Sequence, residues 1–244
     1  MDMCSHYISE KRQPFYLKLG IGLPENWETQ PGSSHIYPTQ FAPMIRRPPE
    51  CESGDEAVPE IEVVMARFGL LPGFAKEIKY GAHTYNARSE TVSTLASFKT
   101  AWSTARHCIV PCQAIYEPDW RTRKHVPTRF TAANDGTLGV AGLWQAWRSP
   151  EGAWVDAFCM LTINADSHPL MKHMHRPDLS RPLDHQDKRM VAILPEAHYT
   201  EWLDAPADHS MQYLQPYPAA LMVATPEPTT SAKPAKAVQT PSLF

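Results

Sequence analysis

No stretch of this 244-residue chain approaches the roughly 18 uncharged apolar residues that a membrane-crossing helix needs, so no membrane partner is expected. The opening residues, Met1-Asp2-Met3-Cys4-Ser5-His6, lack a basic segment followed by an apolar one, and no secretory signal is expected. Charge of one sign is also missing. The net charge is −3, which gives no support to a nucleic-acid partner and leaves room only for a local basic groove. Cysteines are few and odd in number, five in all, and they are scattered as Cys4, Cys51, Cys108, Cys112 and Cys159. That argues against a disulfide framework and fits a reducing compartment, so a cytoplasmic location is expected. Cys108 and Cys112 have no second Cys/His pair at zinc spacing. They read as small apolar residues of a strand, and no metal site is expected.

What is present is the composition of an ordinary globular domain, 43% apolar and 20% charged, in a chain long enough for one sizeable core. The prolines, 24 in all, are not spread evenly. Residues 223–244, rich in Pro, Thr and Ala, bury too little apolar surface to offset ordering and read as a disordered tail. Residues 1–222 then form a single domain. Within it Arg46 to Pro59 reads as a surface loop. Ile61 to Phe68, Cys108 to Tyr116, Pro127 to Ala132, Leu138 to Trp147, Trp154 to Ile163 and Met190 to Leu194 are rich in Val, Ile, Phe and Trp and read as strands. Val92, Leu95, Phe98 and Trp102 recur every three or four residues, which predicts a helix over Thr91 to Arg106. A shorter helix is predicted over Pro195 to Leu203. Strands dominate and helices do not alternate with them. The expectation is an α+β fold, mostly antiparallel and barrel-like, with a few flanking helices.

Four places carry chemistry. Cys4 lies close to the chain start, and if its α-amine were free it would hold an amine and a thiol on adjacent carbons. An α-amine titrates at about 7.7–8.0 against roughly 10.4 for lysine, so on the order of a tenth is neutral at pH 7 and able to attack an aldehyde. Asn86-Ala87-Arg88-Ser89-Glu90 precedes the predicted helix. Its Asn and Arg either cap that helix or orient a nucleophile and bind phosphate as a planar fork. Glu117 ends an apolar strand, where a carboxylate serves as a general acid or base or simply marks the strand leaving the core. His168, His173 and His175 form a cluster able to exchange protons near neutrality, at spacings that match no standard zinc site.

In order along the chain these segments resemble the SRAP family (SOS-response-associated peptidases, abasic-site shielding proteins). Met3-Cys4-Ser5-His6-Tyr7 resembles its MCGRY-type start, and Arg67-Phe68-Gly69-Leu70-Leu71-Pro72-Gly73-Phe74-Ala75 its WGLIPxWA segment. Tyr85 to Val92 is similar to its NARxET motif. His107 to Pro111 with Tyr116-Glu117 resembles RCLIPxxGFYEW, and Ala141-Gly142-Leu143-Trp144 resembles AGLW. His175-Arg176-Pro177 and Arg189 to Pro195 are similar to its catalytic-histidine segment and the strand after it.

The resemblance implies a cysteine-centred enzyme that forms a thiazolidine crosslink with abasic sites in single-stranded DNA, after autoproteolytic exposure of Cys4. No cofactor is implied. By the same resemblance Asn86 holds the reacting Cys4, Glu117 handles protons, and His175 assists Schiff-base formation, with His173 as the alternative histidine. Arg88, Arg67, Phe68 and Phe74 are the expected DNA contacts. A monomer is expected, nucleoid-associated when bound. The chain departs from the family pattern in several places: three residues precede Cys4, Ser5-His6 replaces Gly-Arg, phenylalanines stand for two tryptophans, and Pro118 follows Glu117. His175 is the fitting histidine when Asp178 to Lys188 is taken as an insertion. Two rivals remain, a cysteine hydrolase with a Cys4–His175 pair and a single-strand DNA-binding module in which Cys4 is inert.

Overall fold

The alternating and β-branched runs become strands that curl until the sheet meets itself. A computed structural model describes residues 4–25, 27, 33–51 and 53–227. Its strands are β1 (Tyr7–Ser9), β2 (His35–Ile36), β3 (Phe41–Arg46), β4 (Glu62–Phe68), β5 (Asn86–Arg88), β6 (His107–Asp119), β7 (Val126–Ala132), β8 (Leu138–Arg148), β9 (Trp154–Asn164), β10 (Arg189–Val191), β11 (Ile193–Leu194) and β12 (Met222–Pro226). Three short α-helices accompany them: α1 (Gln13–Lys18), α2 (Lys99–Ser103) and α3 (Tyr199–Asp204).

Five strands close a barrel. β3 pairs antiparallel with β4, and β4 pairs parallel with β9 through Arg67↔Ala157 and Phe68↔Phe158. β9 pairs antiparallel with β8, β8 with β6, and β6 returns to β3 through Ile45↔Ile109. Closure pairs each of these strands on both sides over at least part of its length. The expected mostly antiparallel, barrel-like α+β fold is the observed one. Ile45, Phe68, Ile109, Val140, Leu143 and Phe158 belong to one continuous core, each worth about 1.5–3 kcal/mol of burial when fully removed from water.

Four expectations are corrected. The helix predicted over Thr91 to Arg106 is confined to α2, with turns before it. Residues 91–97 read Thr-Val-Ser-Thr-Leu-Ala-Ser, where β-branched and hydroxyl side chains disfavour a helix interior. Val92, Phe98 and Trp102 still point inward, but Leu95 is 48% exposed. The predicted strand Met190 to Leu194 splits at Ala192, because β10 pairs with β9 while β11 crosses to β8. The domain also runs past residue 222. Val223 to Pro226, assigned above to the tail, pair with β7 as part of β12. The rest of that predicted tail, residues 228–244, lies outside the described residues. Arg46 likewise belongs to β3 rather than to the surface loop that follows it.

Two glycines mark close approaches. At Gly142 an added Cβ would lie 2.6 Å from the Cys159 carbonyl oxygen and 2.8 Å from Cys108 Sγ. Gly69 sits at φ +131°, where its Cβ would lie 2.2 Å from the carbonyl oxygen of Gly81. Gly69 lets the chain turn from β4 into the segment leading to β5. Gly69→Ala is expected to destabilise the fold by at least about 1–3 kcal/mol, from the strained backbone alone, measured by denaturant unfolding.

His107 is buried, its Nε2 3.0 Å from Ser210 Oγ and its ring 4.0 Å from that of Trp202. Burial pushes its pKa from 6.5 down to about 4. The folded protein therefore resists protonating a group that the unfolded chain protonates readily. The stability it contributes is complete above 6.5 and is lost as pH falls toward 4. Thermal melts across that range should show a steeper loss for the wild type than for His107→Asn.

Candidate active site

Three backbone arrangements converge at the end of β6. β1 runs antiparallel to β6 with Tyr7↔Ile115, and the Tyr116 N–H donates to the His6 carbonyl at 3.0 Å. Cys4 is thereby carried alongside Glu117. The segment 173–175 continues along the same edge of β6 beyond β1: Asp119 bridges Met174, and the His175 N–H donates to the Pro118 carbonyl at 2.7 Å. β5 lies parallel to β9 with Asn86↔Met160, which places Asn86 against Cys4 from below the barrel rim.

The result is a buried cluster. Asn86 Nδ2 donates to the Cys4 carbonyl oxygen at 2.9 Å. The Cys4 thiol donates to the His6 carbonyl at 3.7 Å with the Glu117 carboxylate close enough to act on it, and Glu117 Oε2 lies 2.8 Å from His175 Nε2. Cys4, Asn86, Glu117 and His175 are all buried. Burial, and after it the negative field of Glu117, pushes the Cys4 thiol well above its ordinary pKa, so it is protonated at neutral pH. Asn86 Oδ1, Glu117 Oε2 and His175 Nε2 are buried with no aligned hydrogen bond. Glu117 Oε2 and His175 Nε2 have each other at 2.8 Å, so Asn86 Oδ1 is the one of the three left without a partner, at a cost of about 1–3 kcal/mol.

Of the two histidines, His175 joins Glu117 and His173 does not. His173 faces a separate cleft of about 210 Å³ lined also by Trp120, Arg121, Lys172 and Lys188. Burial and then the cations Lys172 and Arg121 lower its pKa.

The expected DNA contacts divide. Arg88 is 38% exposed and its Nη1 lies 2.8 Å from Asp187 Oδ2. Arg67 is used within the fold: its Nη1 donates to the Thr39 carbonyl at 2.8 Å and its guanidinium lies 4.1 Å from the Phe41 ring centre. Phe68 is a core residue and not a base contact, because it is fully buried against Tyr7 and Phe158 where β4 joins β9. Phe74 is 55% exposed beside Tyr80, with a face free for stacking.

The sequence alone did not reveal the cleft above the cluster. Its volume is about 510 Å³, and Glu117 and His175 line it together with His6, Tyr116, Trp120, His125 and Arg176. On one wall His6 stacks on Tyr116 at 4.1 Å and on Tyr37 at 4.5 Å, both nearly parallel, so the two tyrosines cover its opposite faces. Burial and the nearby His35 lower His6 to about 4, which leaves it neutral where the resembled family carries arginine. On the other wall Arg176 lies 5.9 Å from the Trp120 ring centre. Tyr37 and His35 gave no signal because only the pairing of β2 with β1 brings them here. Arg176 was legible as a cation next to the chosen histidine.

The model of the SOS response associated peptidase (SRAP) family matches residues 3–230. The abasic site processing protein YoqW of Bacillus subtilis is 31% identical over 159 residues, 63% of this chain and 63% of its own. The mouse abasic site processing protein HMCES is 25% identical over 172 residues, 58% of this chain and 45% of its own. The aligned chain thus spans somewhat less than two thirds of these relatives' length. A solved structure from Bordetella bronchiseptica is 41% identical, with 92% of this chain and 99% of that chain covered and a TM-score of 0.78. One from Bacteroides thetaiotaomicron, 19% identical with a TM-score of 0.71 over 91% of each chain, shares the fold.

If Glu117 holds the thiol in its protonated form, Glu117→Gln should lower the Cys4 pKa and speed its alkylation by iodoacetamide. Burial, the larger cause, remains, so Cys4 should still react more slowly than the exposed Cys51. Peptide mass spectrometry of the alkylated sites against pH reads this directly. An unchanged profile at Cys4 would remove Glu117 from the electrostatics of the thiol.

Proposed function

The chain belongs to the SOS response associated peptidase (SRAP) family, and we propose that it recognises abasic sites in single-stranded DNA and bonds to them covalently through Cys4. The observation that carries this reading is the buried chain of contacts from Asn86 through Cys4 and Glu117 to His175. The abasic site processing proteins to which the chain is similar supply the substrate class.

The chemistry needs a free Cys4 α-amine, released by hydrolysis of the Met3–Cys4 peptide bond with consumption of one water. The amine adds to the aldehyde carbon of the ring-opened sugar, and loss of one water leaves an imine. The thiol sulfur then bonds to the same carbon while its proton passes to the imine nitrogen, closing a thiazolidine. Each step moves a proton, and Glu117 is in reach of the thiol with His175 beside it to exchange. Asn86 holds the Cys4 carbonyl, and its unpartnered Oδ1 offers an acceptor for the amine N–H. Arg88 would exchange Asp187 for a backbone phosphate, a charge-assisted contact of the same kind. A thiol raised in pKa beside a carboxylate is the reverse of the activated thiolate of a cysteine hydrolase, so the chemistry here favours capture of an aldehyde over cleavage of foreign peptides.

Intact-mass analysis after incubation with an abasic single-stranded oligonucleotide tests the reading. The expected product is a chain beginning at Cys4 that carries the oligonucleotide less one water, and Cys4→Ala should yield none. Glu117→Gln should slow its formation by about 10²-fold or more. An adduct that survives Cys4→Ala, or no adduct from a chain that begins at Cys4, overturns the proposal.

A further inference from the structure

His175 occupies its place at a conformational cost. Its φ is +60°, in the left-handed region that costs a non-glycine residue about 1–2 kcal/mol, and its ring is buried against the Glu117 carboxylate. Two contacts oppose relaxation. Its N–H donates to the Pro118 carbonyl at 2.7 Å, next to Glu117. Its carbonyl accepts a 2.7 Å hydrogen bond from Lys188 Nζ.

Lys188 is an unusual partner. Lysine is almost never fully buried unless paired, yet this one is 3% exposed and gives its ammonium to a backbone carbonyl rather than to a carboxylate. Its own backbone is anchored to the barrel: its N–H donates to Asp166 Oδ1 at 2.8 Å, and its carbonyl accepts from Ala165 N–H at 2.6 Å, just beyond β9. Between His175 and Lys188 lies a loop gathered around the buried Gln186. The Gln186 amide donates to the carbonyls of Asp178, Arg181 and Pro182 and accepts from the Asp178 N–H. The early part of the loop is tied to itself through Gln186, Asp187 joins its end to Arg88 and Asp166, and the Lys188 ammonium runs from the barrel to the histidine.

We propose that Lys188 is a positioning residue for His175, holding the imidazole at the Glu117 carboxylate so that the pair can move protons during crosslink formation. This rests on the function proposed above. Without the ammonium, the His175 carbonyl loses its donor and the left-handed turn loses one of its two restraints. The ring then leaves Glu117, while the cleft walls that meet the strand are unchanged.

The test compares Lys188→Met and Lys188→Arg with wild type in three measurements: the single-turnover rate of crosslinking per folded molecule, affinity for the same oligonucleotide carrying an unreactive tetrahydrofuran in place of the abasic sugar, and thermal stability. Lys188→Met is expected to crosslink about tenfold or more slowly with affinity within about twofold of wild type, as a misplaced reacting group would. Lys188→Arg, which keeps a cationic donor, should recover most of the rate. A merely structural lysine would lower stability and leave the rate per folded molecule unchanged, and that outcome overturns the inference. If Lys188→Met does not fold, Lys188→Gln replaces it, and a wild-type rate in that variant is equally fatal. A wild type that forms no crosslink defeats the proposed function itself, a result distinct from either.

Discussion

The register of β6 is the constraint on which the molecule depends. This strand is 13 residues long, and its two halves serve different partners. Its first half pairs with β8 and closes the barrel against β3. Its second half pairs with β7 and with β1, which brings Cys4 along. Because side chains alternate with a period of two, a slip of one residue would exchange the side chains on the two faces of the strand. The same slip would remove Glu117 from both Cys4 and His175. Core packing and site geometry are thus fixed by one set of hydrogen bonds, and the barrel that stabilises the fold also sets the catalytic spacing.

The cluster at the end of β6 stores electrostatic cost. A carboxylate, a thiol and an imidazole are buried together, and the thiol is held protonated by burial and by Glu117. Such an arrangement is poor for stability, since unsatisfied buried polar atoms destabilise. It suits the proposed reaction, in which the amine attacks first and the thiol follows. A thiol kept neutral carries with it the proton that the imine nitrogen must receive. The same burial that raises its pKa therefore keeps both participants of ring closure in one place.

Much of this was legible in the residues. Runs rich in Val, Ile, Phe and Trp announced the longer strands because their burial is a local property of the sequence. The position of Glu117 at the end of such a run marked it as a candidate acid or base. Short elements such as β1, β2 and β5, two or three residues each, have no local signature, since pairing at a distance creates them. For the same reason Tyr37 was invisible as a stacking partner of His6. Phe68 was misjudged because an aromatic residue reads alike whether it meets a base or a core. Only the join of β4 to β9 decides that it packs inward. Thr91 to Arg106 shows the opposite error. Its apolar spacing was real and buries Val92, Phe98 and Trp102, but Ser and Thr side chains between them prevent a continuous helix.

The net charge of −3 gave no support to a nucleic-acid partner and did not exclude one, and the proposed chemistry is compatible with it. A protein that holds DNA by ion pairing alone must neutralise many phosphates, and its affinity falls steeply with salt. A protein that bonds covalently needs electrostatics only to bring the strand to the cleft. Here the cations are few and local. Arg176 lies over Trp120, Arg121 and Lys172 flank the neighbouring cleft, and Arg88 is neutralised by Asp187. His6, neutral between two tyrosines, takes the place where the family pattern has an arginine. The wall of the cleft has thereby traded a charge for an aromatic surface, which suits contact with unpaired bases, whose stacking is worth about 1–3 kcal/mol each. In the proposed reaction, a weak, stacking-assisted encounter followed by a covalent bond would place the demand for residence on Cys4 rather than on charge.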